Sequence, residues 1–162
     1  MPYARRRRLK RNRLALARTL DPHRPLQLVA VPPADIELVW PLCSDFIEEG
    51  CYYGEVPPDH IYRNCQSGDM QLWLAWSDGK CEGAGVTLLL NCPEGLVCQL
   101  ACMSCADFER CRDEIAPQWE AWAKGQGCVS MRINGRPGWE RLMRDYTKRW
   151  VVIDKGLSNG QL

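Results

Sequence analysis

Residues 70–103 read MQLWLAWSDGKCEGAGVTLLLNCPEGLVCQLACM, and their alternation decides the fold class. From Met70 to Ser77, Met70, Leu72, Leu74 and Trp76 alternate with Gln71, Trp73, Ala75 and Ser77, the period-two pattern of a strand. Asp78-Gly79 is a hairpin turn into a second strand over about Cys81–Asn91, and Pro93-Glu94-Gly95 turns again into a third, Leu96–Met103. Three strands joined by short turns predict an antiparallel meander. Trp73 falls opposite Leu72 and Leu74, so it faces either a second layer or a partner.

Toward the N-terminus, Leu26–Val31 reads as a first strand ended by Pro32-Pro33. Asp35 is placed to cap a helix carrying Ile36, Val39, Trp40, Cys43 and Ile47 at helical spacing. Pro41 inside that pattern predicts a kink or a late start. A Gly- and Pro-containing turn leads to a short helix near Asp59–Gln66. Toward the C-terminus, Ser104 and Asp107 resemble a capping box opening a helix over Cys105–Lys124. Its apolar face is Phe108, Cys111, Ile115, Trp119 and Trp122, with a bend expected at Pro117 and a stop at Gly125 and Gly127. Val129, Met131 and Ile133 alternate as a further strand. The turn Asn134-Gly135-Arg136-Pro137 leads to a helix with Trp139, Leu142, Met143 and Tyr146 at i, i+3, i+4 and i+7. Trp150–Asp154 is expected as a last strand. The order predicts an α/β domain with a mixed, mostly antiparallel sheet flanked by helices.

The 162 residues are 46% hydrophobic and 25% charged, which excludes a collagen-like, coiled-coil or largely disordered chain. No apolar run approaches the ~20 residues that cross a bilayer, so no membrane partner is expected. The basic N-terminus lacks the apolar core of a secretory signal. The net charge of +1 hides a split. Residues 1–24 hold nine basic residues against Asp21 alone, a net +8, which leaves 12 basic and 19 acidic residues, a net −7, on the other 138. The expected organisation is a basic arm at 1–24, partly helical over 4–20, a domain at 25–157 and a tail at 158–162. Ten cysteines are present. Cys43, Cys98, Cys102 and Cys111 fall at apolar positions of periodic segments, where a reduced thiol serves as a small hydrophobe.

In element order over Leu26–Gly156 the sequence resembles the GNAT (Gcn5-related N-acetyltransferase) superfamily. The local matches are the meander ending at Leu96–Met103, the helix Cys105–Lys124 and the segment Val129–Tyr146. Within the superfamily, Gly127-Cys128, Gly135-Arg136-Pro137-Gly138-Trp139 and Asp145-Tyr146 resemble small GNAT-like proteins of tailed phages and prophages. The resemblance implies an acetyl-CoA site in a splay between Leu96–Met103 and Val129–Ile133, touching Leu100. Its pyrophosphate would lie on the turn Met103-Ser104-Cys105-Ala106-Asp107. That turn departs from the family's glycine-rich pattern and sets Asp107 in the first helical turn, where a carboxylate suits an empty helix end and repels an anion. Tyr146 stands where the family carries a tyrosine that protonates the departing thiolate. From its spacing alone it completes the Trp139–Leu142–Met143 core face. Glu82 and Glu94, the carboxylates in reach of a base's role, read as turn residues on a solvated face.

Cys102-Met103-Ser104-Cys105 is a lone CxxC with neither a second knuckle nor paired histidines, so no zinc site is expected. Regular alternation would place Cys98 and Cys102 on one strand face. The arm residues Arg5, Arg6, Arg7, Arg8, Lys10, Arg11 and Arg13 suit sequence-blind phosphate contact, an acidic protein surface, or a solvated tail. Together these features predict a GNAT-fold component, degenerate at the acetyl-CoA site and binding without cofactor. The arm would be its anchor to nucleic acid or to a virion or assembly protein, in a bacterial cytoplasm or a phage particle. The alternative is an active acetyl-CoA-dependent N-acetyltransferase with an atypical pyrophosphate turn.

Overall fold

The computed structural model describes residues 24–52, 56–135 and 138–149. The basic arm, the expected strand 150–154 and the tail 158–162 lie outside the described residues, as do Arg136 and Pro137. Five strands form one sheet in the order β1 (Gln27–Val31), β2 (Gln71–Ser77), β3 (Lys80–Cys92), β4 (Gly95–Cys105) and β5 (Ser130–Ile133). The first three pairings are antiparallel and β4 with β5 is parallel. Two helices, α1 (Ile36–Cys51) and α2 (Pro58–Ser67), connect β1 to β2. Two more, α3 (Phe108–Glu114) and α4 (Ala116–Gly125), connect β4 to β5, and a single turn, α5 (Trp139–Leu142), follows β5. The mixed α/β class expected from the alternation is the observed one.

The meander forms as its turns require. Asp78 and Gly79 both take positive φ, 51° and 72°, as the tight hairpin turn demands. Central β2 is covered on both sides: Leu72 and Leu74 pack with α1 and α2, Trp73 and Ala75 with α3 and α4. Trp73 therefore faces a second layer. It is 3% exposed, its Nε1 donates to Thr87 Oγ1 at 2.8 Å, and it meets Trp122 edge-to-face at 4.7 Å. The outer edge of β1 is blunted by side chains. The N–H of Leu28 donates to Gln118 Oε1, and Gln118 Nε2 donates to the Leu26 carbonyl, both at 2.9 Å.

Five local expectations are corrected. Asp35 stands at the N-terminus of α1 in a 3-10 turn but makes no side-chain cap; α1 begins at Ile36 with Pro41 inside it, so its start is not delayed. The helix expected over 105–124 is two helices broken at Ile115. Pro117 does not bend a helix; it opens α4, where its missing N–H would have had no intrahelical partner. Ser104 is not a cap: β4 runs on to Cys105, and Asp107 caps α3 by accepting from the Arg110 N–H at 3.1 Å. The helix expected over 139–146 closes after Leu142, because Met143 has φ −104° and ψ 77°.

Candidate functional site

The cleft of interest starts at an irregularity in β4. Opposite β3, Val86 pairs with Cys102 and Thr87 with Leu100, so Ala101 is an extra residue, a β-bulge. One inserted residue reverses the facing of everything beyond it. Leu100 and Met103 accordingly share the α3–α4 side, while Cys102 joins the α1–α2 core. The expectation that Cys98 and Cys102 share a face is overturned for this reason: Thr87, beside Leu100, hydrogen-bonds Cys98. The parallel pairing of β4 with β5 covers Val97–Leu100 against Ser130–Ile133. Beyond it β4 continues to Cys105 paired with β3 only, which opens a cleft on its β5 side.

The cleft is bounded by Leu100 and Met103 of β4, Met131 and Ile133 of β5, Phe108, Cys111 and Arg112 of α3, and Ala116 and Trp119 of α4, with Trp139, Met143 and Tyr146 closing it. Phe108 and Trp139 meet edge-to-face at 5.3 Å across it. Trp139 also lies flat on Gly135, where a Cβ would come within 2.4 Å of its Cδ1. The cavity that remains is about 20 Å3, room for about one water molecule.

The turn after β4 is spoken for by the chain itself. The Ala106 N–H donates to the Glu82 carbonyl at 2.8 Å, and the Arg110 N–H is taken by Asp107. Ser104 Oγ donates to Glu49 Oε2 at 2.7 Å, away from the cleft. Cys105 packs toward Cys111 on the α3–α4 side. Of the residues expected to hold pyrophosphate, Ser104 and Cys105 are thus in the strand rather than in a turn. Leu100 and Met103 do line the cleft. Glu82 is a second correction: it is not on a solvated face but 5% exposed, the extra residue of a bulge opposite Ala75 and Trp76. Its Oε1 has no hydrogen-bond partner among the described residues. Burial pushes its carboxyl above the usual range, with Arg110 and Lys80 pulling the other way. The alternation had no means of marking a bulged carboxylate as buried. Glu94 is as expected near the surface, 3.6 Å from Arg132 Nη2 and 3.4 Å from Arg149 Nη1.

Tyr146 lines the cleft beside Trp139 and Met143, although Leu142, expected on the same face, is 41% exposed. Its hydroxyl donates to Glu120 Oε1 at 3.3 Å. Burial first, then the Glu120 carboxylate, raises its pKa above the ordinary phenol range, so it keeps its proton at neutral pH. The arm residues Arg5–Arg8, Lys10, Arg11 and Arg13 are outside the described residues. Among the described residues no three His, Cys, Asp or Glu side chains gather as a metal site. The CxxC is split, Cys102 and Cys105 lying on opposite faces of the sheet. No described helix is long and apolar enough to cross a membrane.

No protein-family model matches the chain, and no curated protein does. Solved structures do. A GNAT family acetyltransferase from Staphylococcus aureus superposes with a TM-score of 0.60 at 13% identity, over 82% of this chain and 99% of its own. The ribosomal-protein-alanine N-acetyltransferase of Brucella melitensis gives 0.56 at 16% identity, over 81% and 99%. The aminoglycoside N-acetyltransferase AAC(6')-Iy, solved with CoA, gives 0.56 at 15% identity, over 84% and 99%. The sheet order and the helices around it superpose on these structures over nearly their whole length, and this chain has the GNAT fold.

Proposed function

We propose that this chain is a GNAT-fold binding component whose acetyl-CoA site is degenerate. Its basic arm, residues 1–24, would anchor it to nucleic acid or to an acidic virion or assembly protein. The observation that carries the reading is the filled cleft: Phe108 and Trp139 meet edge-to-face across it, and about 20 Å3 remains between the diverging ends of β4 and β5. The turn agrees. A pyrophosphate needs free N–H groups and a positive helix end. Here the Ala106 N–H is bonded within the chain, Asp107 caps α3, and the unpaired Glu82 carboxylate lies close behind. The residues present do not fit acetyl-CoA.

Calorimetric titration of the reduced, full-length protein tests this. No heat at millimolar acetyl-CoA is expected. A micromolar dissociation constant, about −8 kcal/mol, overturns the degenerate site. The anchor is tested separately by replacing Arg5–Arg8 with alanine. Binding to a duplex of arbitrary sequence should be lost and should fall steeply with salt in the wild type; unchanged binding sinks it.

A second reading, an active N-acetyltransferase, is favoured by one observation: β4 and β5 part beyond Leu100 and Ile133, with the protonated Tyr146 hydroxyl on the cleft wall. The same titration decides between the two.

A further inference from the structure

The ten cysteines are all free thiols, and two of them are placed for chemistry with each other. The CxxC of the sequence is not a pair in the fold, because Cys102 and Cys105 lie on opposite faces of the sheet. Cys102 shares a buried cluster with Cys51, the last residue of α1. The surrounding backbone brings the two together. At Gly50, α1 comes down on β4 so closely that a Cβ would sit 2.9 Å from the carbonyl carbon and oxygen of Met103. One residue earlier on α1, Glu49 accepts from Ser104 at 2.7 Å. The segments 49–51 and 102–104 are therefore locked together, with both thiols in the same core cluster.

We propose that Cys51 and Cys102 form a reversible disulfide, with a peroxide as the oxidant and Cys51 as the attacking sulfur. The Cys51 thiolate attacks one oxygen of hydrogen peroxide. The O–O bond breaks, hydroxide leaves with the proton Cys51 gave up, and Cys51 becomes a sulfenic acid. The Cys102 sulfur then attacks the Cys51 sulfur and the S–O bond breaks. The departing hydroxide takes the Cys102 proton as water. Two thiols are oxidised and one peroxide is reduced to two waters. The order of attack follows from position: Cys51 ends α1 beside exposed Tyr52, whereas Cys102 lies within β4. The titration agrees in direction, the Cys51 thiol being lowered by its neighbour Cys102, and Cys102 raised by Cys51 and by burial. Cys43 and Cys65, deeper in the same cluster, are pushed up to about 12 by burial and make poor nucleophiles. The bond would tie the end of α1 to β4 immediately before the cleft residue Met103.

Peptide mapping of the full-length protein, oxidised in its native state by a small molar excess of hydrogen peroxide and then alkylated in denaturant, tests this directly. A Cys51–Cys102 linked peptide should be the dominant disulfide. Alkylation of both should fall at least tenfold relative to Cys43 and Cys65, and dithiothreitol should restore it. Cys51 found as sulfinic acid with Cys102 still alkylatable overturns the proposal, as does a different dominant pair such as Cys105–Cys111. Cys102→Ser should leave a Cys51 sulfenic acid that dimedone traps; its absence in the folded variant overturns the order of attack. The wild-type map stands by itself should that variant not fold.

Discussion

The two faces of the sheet are built from different chemistry. On the α1–α2 side Ile36, Ile47, Ile61, Leu72 and Val86 are completely buried, an aliphatic layer that fills space without polar atoms to satisfy. The α3–α4 side holds Trp73, Trp119 and Trp122, buried Thr87, and a cleft walled by half-exposed methionines. One face is closed throughout, and the other ends in half-exposed side chains along the cleft wall. Ile47→Ala should cost about 3–5 kcal/mol, the range for deleting a fully buried branched side chain. Met131→Ala, on the cleft wall, should cost about 1–2 kcal/mol, because that side chain is only half-buried. Urea denaturation measures both, and equal losses would break the distinction.

Two tryptophans on the second face differ in the same way at smaller scale. Trp73 Nε1 is bonded to Thr87, whereas Trp119 Nε1 has no partner among the described residues. Trp73→Phe deprives the buried Thr87 hydroxyl of its Nε1 donor and should lose about 2 kcal/mol; Trp119→Phe removes an unsatisfied donor and should lose less than about 1. Melting of the two variants side by side checks the order. The reverse order would mean that Trp119 holds its layer through shape alone.

How much of this was legible varies with the physics of each segment. The meander was readable because Leu72 and Leu74 alternate against Trp73 and Ala75, and Asp78-Gly79 admits only one kind of turn. At the cleft the reading is mixed: Leu100, Met103 and Tyr146 line it, whereas Ser104 faces Glu49 on the other side and Cys105 packs with Cys111 at the end of a strand that the bulge at Ala101 re-registers. A single inserted residue leaves no trace in an alternating pattern when both faces are apolar. Pro117 was ambiguous for a related reason. Proline suits a helix's first turn as well as it disrupts an interior, and only the break at Ile115 distinguishes the two.

Glu82 turns the comparison into a pH experiment. Its carboxyl is raised in the folded chain by burial, so the folded state favours the protonated form more than the unfolded state does. Its contribution is most favourable below the unfolded carboxylate range, near pH 4, and is lost as pH rises through the folded value. Glu82→Gln removes that titration. The variant should gain about 1 kcal/mol over the wild type at pH 7, the scale of an unpaired buried polar group, and nothing at pH 4. Denaturation at the two pH values measures the difference. A pH-independent difference would mean the carboxylate is solvated in the fold.

The smallest effect separates the two obstacles at the candidate site. Asp107 caps α3, and glycine at a cap loses only a few tenths of a kcal/mol relative to a good capping residue. Asp107→Gly therefore frees the Arg110 N–H and deletes the carboxylate with little change in melting temperature. If charge at the turn were the whole reason the site fails, this variant would give heat with CoA. The filled cleft predicts none, since Phe108 and Trp139 remain in place. Heat from Asp107→Gly alone would move the defect from the aromatic pair to one carboxylate. Heat only after Trp139→Ala is added would assign it to the packing of the cleft.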